Sequence, residues 1–360
     1  LSMLKLVQHA RLAGNTRKSQ ARAQVLLDAK VCIQKLLQVD SRNMFGNWLM
    51  SHILRRMSDF EGATRVVEAM FDDIVCRYEN TTAVEAGTEA KGDTETLNRV
   101  AFRLRFELAQ CHVIQLKYAE AVAILMPLVS DASNYTAKGM ALMFCGGALA
   151  CLGQHGASIA MFQKILAFGS DGEDAPVGPM DLVLIRKARV NCTRSNVAST
   201  LCMHELTYFL GYTAITGSAT LRSVFADLTH TLASTRARFE AVGKAEGSRA
   251  SGRSVEEYMV ALFLTGAVGS GLHQDDIAIQ HLTRVLELAD DYAGDASITV
   301  DPYYVPFAKF ELGMLHLRGG RPKMAVCMFE ESRKQTDFTF GQALWYRSQG
   351  PLAEAKKQVK

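Results

Sequence analysis

The residues best suited to chemistry in this chain are its thiols and imidazoles. Cys111 stands beside His112, Cys151 lies four positions before His155, and Cys202 lies two before His204. Thiolate sulfur and imidazole nitrogen are preferred zinc ligands, but a closed site needs four of them, commonly spaced C-x₂₋₄-C and H-x₃₋₅-H. The 8 cysteines (Cys32, Cys76, Cys111, Cys145, Cys151, Cys192, Cys202, Cys327) contain no C-x-x-C pair. On a helix Cys202 and His204 point about 200° apart and cannot share an ion. Cys151 and His155 straddle an expected turn at Gly153, with no second pair nearby. His204-Glu205 lacks the second histidine of a zinc-protease helix. The run Gly266 to Gly271 is glycine-rich, yet no strand precedes it and it has neither a P-loop lysine nor a dinucleotide fingerprint. No G-x-S-x-G elbow occurs. The expectation is a chain with no catalytic residue, no metal and no cofactor, whose glycines serve close helix packing.

Those residues sit on a recurring helical pattern. A helix with a small residue mid-length is followed by a short turn and a second helix reading small-x-x-x-apolar. It is clearest at Leu312-Gly313 … Gly320 … Ala325-x-x-x-Phe329 and at Cys145-Gly146 … Gly153 … Ser158-x-x-x-Phe162. Weaker copies stand at Leu108-Ala109 … Tyr118 … Ala121-x-x-x-Leu125, Thr265-Gly266 … Ala278-x-x-x-Leu282 and Met50-Ser51 … Phe60 … Ala63-x-x-x-Val67. This is the spacing of the tetratricopeptide repeat, a unit of about 34 residues. Two antiparallel helices cross closely only where both lack bulk, and the larger residue one turn later fills the next gap. The fold class expected is all-α, a right-handed superhelix of about five such repeats plus degenerate helical pairs.

The chain then divides as follows. Residues 1–40 form a helical leader, two helices broken near Gly14-Asn15. Repeats 1–3 span 41–168, interrupted by a polar, flexible insertion at 79–98. A degenerate hairpin covers 180–235, where Tyr208, Leu210 and Gly211 keep the pattern and Asp227 breaks it. A basic Gly/Ser loop, 241–254, leads to repeats 4 and 5 at 255–334, and 338–360 forms a helical tail.

Composition bounds the rest. A repeat array of 360 residues needs no single large core, since each unit buries itself against its neighbours. Seven prolines and abundant Ala, Leu and Met favour helix throughout. The formal net charge of +3 gives no reason to expect nucleic acid. The longest apolar run, Tyr258 to Leu272, is too short to span a bilayer. Cysteines on apolar faces read as small hydrophobes in a reducing, intracellular compartment, the cytoplasm first. Residues 1–27 carry Lys5, Arg11, Arg17, Lys18 and Arg22 and no acid, which also fits a mitochondrial presequence. The continuing apolar spacing through Leu26, Leu27, Cys32, Leu36 and Leu37 favours an ordinary packed helix over that reading. Without a signal peptide, the sequons at Asn80, Asn134 and Asn191 are chance matches.

The segment Tyr303-Tyr304-Val305-Pro306-Phe307-Ala308-Lys309-Phe310-Glu311-Leu312-Gly313 resembles the late tyrosine/proline-led repeat of the tetratricopeptide repeat protein 39 family, which has a fungal member linked to inclusion-body clearance and mitochondrial outer membranes. Asp337-Phe338-Thr339-Phe340 … Leu344-Trp345-Tyr346-Arg347 is similar to its closing motif, and Phe144 to Phe162 to its central repeat. His204-Glu205-Leu206-Thr207-Tyr208 resembles an upstream helix of that family, with His204 and Tyr208 replacing two tryptophans. The resemblance implies an adaptor or scaffold and carries over no catalytic residue.

The repeat register also places a stripe. The residue fifteen positions before each small second-helix residue is expected on the inner face: Trp48, Phe106, Met143, Phe263 and Phe310, with Tyr208 added by the degenerate hairpin. These are the candidate partner contacts, and their apolar character points to a protein partner offering an apolar or amphipathic segment. The favoured expectation is nevertheless that the chain's own leader or tail helix fills the stripe, or that the superhelix closes on itself, since large exposed apolar patches are rare. Residues 338–346 are the candidate plug, with Phe338 and Trp345 expected over Phe310. Phe106 is the stronger partner contact, rimmed by Arg103, Glu107 and Gln110. The function expected is a non-catalytic adaptor, with a structural subunit of a large organellar or ciliary assembly as the alternative and a non-motif enzyme as a third reading.

Overall fold

The computed structural model describes residues 16–84, 91–130, 135–168, 179–214, 216–245, 252–293, 302–335, 338 and 340–359. Among the described residues there is no strand, and the fold is all-α with consecutive helices packed in pairs. It falls into two compact units, Ala13–Met161 and Phe162–Lys360. The first holds α1 (Thr16–Val39), α2 (Met44–Arg56), α3 (Phe60–Val84), α4 (Lys91–Ile114), α5 (Tyr118–Ser130) and α6 (Tyr135–Cys151). Helix α7 (His155–Phe168) contains the division. The second unit holds α8 (Pro179–Thr193), α9 (Leu201–Phe209), α10 (Ser218–Ala245), α11 (Gly252–Gly271), α12 (Asp275–Asp291), α13 (Tyr304–Arg318), α14 (Pro322–Ser332) and α15 (Gly341–Val359).

Five turns share one geometry. Each has a single residue in the left-handed region: Ser58 (φ 63), Leu116 (φ 62), Gly153 (φ 74), His273 (φ 59) and Gly320 (φ 68). The next amide bonds back to a carbonyl five residues earlier, at 2.9 Å in every case: Asp59 to Leu54, Lys117 to His112, Gln154 to Leu149, Gln274 to Gly269 and Arg321 to His316. The left-handed residue bonds three back, as Gly320 does to Leu317 at 3.2 Å. Together these form the Schellman motif, which satisfies the last carbonyls of the first helix and reverses the chain.

The turn sets the helix crossing. Seven residues before each left-handed position stand Ser51, Ala109, Gly146, Gly266 and Gly313, and five after stand Ala63, Ala121, Ser158, Ala278 and Ala325. All ten are buried. A Cβ on Gly313 would lie 2.7 Å from the Phe329 ring, and one on Gly266 would lie 2.8 Å from Leu282 Cγ. Phe329 and Leu282 are fully buried, so neither has room to withdraw.

Between the repeats the structure departs from expectation in three places. Helix enters the expected insertion at 79–98 from both sides, α3 reaching Val84 and α4 starting at Lys91. No proline lies in that stretch to stop either helix. The expected basic loop at 241–254 shortens likewise, because α10 runs to Ala245 and α11 begins at Gly252. The stretch 180–235 is three helices rather than a hairpin: α8, the nine-residue α9 flanked by 3-10 turns Asn196–Ala198 and Tyr212–Ala214, and α10, which packs on α11. The first helix of the expected leader and the Gly14-Asn15 break lie outside the described residues.

Gly313→Ala is expected to lower stability by about 1–3 kcal/mol through overpacking. Gly156→Ala, at an exposed helical position where an added Cβ meets nothing within 4 Å, should be neutral or raise it by up to about 1 kcal/mol. Urea denaturation measures both, and equal effects would remove close approach as the constraint at Gly313.

Candidate partner-binding site

In the first unit the stripe residues divide by exposure. Met143 is buried, whereas Trp48 and Phe106 are half-buried. Phe106 meets the buried Phe144 edge-on at 5.2 Å. Spacings of three and four put Phe45, Trp48, His52 and Arg55 on one face of α2. Phe45 is 64% exposed and stacks on Trp48 at 5.9 Å, and His52 meets Trp48 edge-on at 4.5 Å.

A buried carboxylate fixes this face. Trp48 Nε1 donates to Glu107 Oε1 at 3.2 Å, and Arg55 Nη2 donates to Glu107 Oε2 at 3.1 Å. Arg103 adds a longer bond at 3.5 Å from an exposed position. Arg55 and Glu107 are both buried, so the pair bridges α2 and α4 out of water. Glu107 is therefore a foundation beneath Trp48 and not part of a polar rim; Arg103 and Gln110 are the flanking groups that remain accessible. Burial, reinforced by the Arg55 charge, lowers the His52 pKa to about 4 against the opposing pull of Glu107, so His52 is neutral near pH 7. The site presents aromatic faces, a neutral imidazole and an exposed guanidinium.

The second unit treats the same register differently. Tyr208, Phe263 and Phe310 are all buried. The short helix α9 lays Tyr208 and Phe209 against α11 and α13: Tyr208 meets Phe263 at 5.0 Å and Phe307 at 5.7 Å, and Phe209 meets Tyr303 at 5.0 Å. Phe340 stacks on Phe209 at 4.1 Å, and Arg347 donates to the carbonyls of Tyr208 and Phe209. Tyr208 Oη donates to Glu311 Oε1 at 2.6 Å, and burial raises both the phenol and the carboxyl pKa. The filling element is thus α9, held down by residues of the tail. Phe338 lies over Phe307 at 6.1 Å, Phe310 is covered by Phe329 of its own hairpin at 5.8 Å, and Trp345 stays 44% exposed beneath Arg333.

No group of three or more His, Cys, Asp or Glu side chains is placed to hold a metal ion among the described residues. Cys202 and His204 both point into the core. Burial pushes the Cys202 thiol up to about 12 and the His204 pKa down to about 4. His204-Glu205 lies instead beside an ion cluster in which Glu205 Oε1 accepts from Lys187 at 3.2 Å and from the Tyr303 hydroxyl, and Glu205 Oε2 lies in ion-pair contact with Arg194 at 2.5 Å. Burial opposes ionisation of Glu205, but the two cations and the hydroxyl outweigh it and hold its carboxyl below the usual range.

No protein-family model matches the chain, and comparison with curated proteins found no match. Among solved structures it is similar to the TPR domain of P58(IPK), with 13% identity, 95% of this chain and 84% of that chain covered, and a TM-score of 0.25. So loose a superposition carries no weight on function. The repeat reading stands on the five turns and their buried small residues.

The sequence register singled out Trp48 and Phe106 but neither Phe45 beside Trp48 nor the Arg55–Glu107 pair beneath it. The pair joins residues 52 positions apart, and charge identity alone does not reveal such a partner. Phe45 carried a usable signal, standing one turn before Trp48 on the same face.

Glu107→Ala strands Arg55 in the interior and removes the Trp48 acceptor. It is expected to cost about 3 kcal/mol or more, read by denaturation followed through tryptophan fluorescence. A loss below about 1 kcal/mol would mean that the pair behaves as a surface ion pair. His204 gives a pH signature. The unfolded chain binds its proton below about pH 6.5 and the folded chain only near 4, so the stability of the neutral buried form is present above 6.5 and lost as pH falls. The full effect is roughly 3 kcal/mol. His204→Gln should therefore flatten the stability profile between pH 6.5 and 4.5, and an unchanged slope would contradict the burial of an uncharged imidazole.

Proposed function

We propose that the protein is a non-catalytic adaptor whose partner surface lies on the first unit, around Phe45, Trp48, His52 and Phe106. One observation carries this reading: Tyr208, Phe263 and Phe310 of the register are buried in the second unit, whereas in the first Met143 is buried but Trp48 and Phe106 are half-buried, with exposed Phe45 one turn before Trp48. Large aromatics held rigid by buried hydrogen bonds are the residue types that anchor protein segments, because little side-chain freedom is lost on binding. Arg103, 70% exposed beside Phe106, favours an amphipathic segment with apolar anchors and acidic flanks. The second unit, filled by its own α9, serves as the structural block. The resemblance to the tetratricopeptide repeat protein 39 family supports an adaptor or scaffold, as does the helical-hairpin fold.

The compartment proposed is a reducing one, the cytoplasm first and the mitochondrion second. The seven described cysteines are free thiols, and no described helix is long and apolar enough to cross a membrane. Membership of a larger assembly would use the same surface, and purification as a stoichiometric complex would identify it.

Phe106→Asp tests the reading against Phe263→Asp. At half-buried Phe106 the charge stays hydrated, so circular dichroism and melting should change little while partner capture from cell extract is lost. At fully buried Phe263 the charge has no partner and should unfold the second unit. Retention of the same captured proteins by a folded Phe106→Asp chain would overturn the proposal.

A further inference from the structure

Helix α1 is apolar on two faces. Ile33, with Ala29 and Leu37, packs into the core beside Met50, Ile53 and Leu54 of α2. At about 100° per residue, Val25, Cys32, Leu36 and Val39 line a second face, with Asp28 and Lys35 along one edge of it and Val31 and Leu27 beyond. All of these second-face residues are exposed, Val39 by 89%. Five of the fifteen exposed large hydrophobic residues described, namely Val25, Leu27, Val31, Leu36 and Val39, stand on this one helix. A helix apolar on two sides is built to be covered on two sides, and so concentrated a patch marks an interaction surface. We propose that this face is the interface of an antiparallel homodimer, in which α1 packs on α1 of a second copy about a two-fold axis at Cys32.

The order of the residues selects both the second copy and its direction. A two-fold interface must complement itself, residue i meeting j and j meeting i. In antiparallel pairing about Cys32, each position before it meets the position equally far after it. Val25, seven before, then meets Val39, seven after. Asp28, four before, meets Leu36, four after, and lies beside Lys35, three after. Each copy thus offers one carboxylate and one ammonium to the other, giving two crossed ion pairs along an apolar seam. Asp28 accepts from Gln24 at 2.8 Å, and neither Asp28 nor Lys35 forms an ion pair with a described residue. Parallel pairing would set Asp28 against Asp28 and Lys35 against Lys35, which repel. A partner helix of one charge sign would satisfy one of the two groups and oppose the other.

The face runs about 21 Å from Val25 to Val39, at about 1.5 Å per residue. That is short for a protein interface, so the dimer should dissociate in the micromolar range rather than be permanent. It uses none of Phe45, Trp48, His52 or Phe106 and stands whether or not those residues bind a partner.

Sedimentation equilibrium of the full chain between about 1 and 300 µM tests it, the mass rising from one chain toward two. Val39→Asp changes a side chain that is almost wholly in water, so circular dichroism should be unchanged while association is lost. Asp28→Lys and Lys35→Asp should each weaken the dimer about tenfold, and the double exchange should restore it, because the crossed pairs re-form with their signs reversed. Cys32 and Cys327 are exposed thiols; diamide oxidation should join two chains through Cys32, a crosslink lost in Cys32→Ser and kept in Cys327→Ser. A one-chain mass at about 300 µM would overturn the proposal, the result expected if another protein or another segment of the same chain covers the face. Association that survives Val39→Asp, or a crosslink that survives Cys32→Ser, would place the contact elsewhere and overturn it too. Single exchanges without effect, or a double exchange that fails to restore the dimer, would overturn the antiparallel register.

Discussion

Everything repetitive in this molecule depends on the close crossing of two helices at a pair of small residues. The Schellman turn fixes how far from the reversal that crossing falls: seven residues before and five after the left-handed position, five times over. With the crossing fixed, the next bulky residue on the second helix must enter the gap one turn further on, and Val67, Leu125, Phe162, Leu282 and Phe329 are all buried there. Only two of the five left-handed positions are glycine. The chain tolerates Ser58, Leu116 and His273 at a backbone geometry that costs such residues about 1–2 kcal/mol, because the paired hydrogen bonds and the helix contact behind each turn outweigh that strain.

Given that frame, the two units dispose of the same inner register in opposite ways. In the second, a nine-residue helix that breaks the repeat is laid against α11 and α13, and its aromatics make a contiguous cluster with polar ends. One end is sealed by Glu311 and Arg347, the other by Glu205 with Lys187 and Arg194. In the first, no short helix intervenes between the hairpins among the described residues, and Trp48 and Phe106 keep their aromatic faces partly open. The apolar stripe is thus one sequence feature with two physical outcomes, decided by which segment reaches it.

Buried charge accompanies both outcomes. The Arg55–Glu107 pair orients Trp48 at a surface, and the Glu205 cluster secures α8 and α9 to α13 in an interior. Such pairs add little net stability over apolar packing but enforce one arrangement, since any other strands a charge. That is the property a binding face needs, and it explains why the acceptor of the Trp48 indole is a carboxylate already held by an arginine.

The amino-acid sequence by itself determined the all-α class, the five hairpins and their register, because small-residue spacing and turn position are local properties confined to about 34 residues. It also placed Trp48, Phe106, Met143, Tyr208, Phe263 and Phe310 on one series. It did not determine which of them water reaches. The partner of Glu107 lies 52 residues away and that of Tyr208 lies 103 away. Whether α9 forms a hairpin or a filler depended on what α11 and α13 left open beside it. Helix continuation through 79–84 and into 241–245 was likewise invisible to a reading that took polar composition for loop. Local periodicity records which face of a helix is apolar; only the packed chain decides what covers that face.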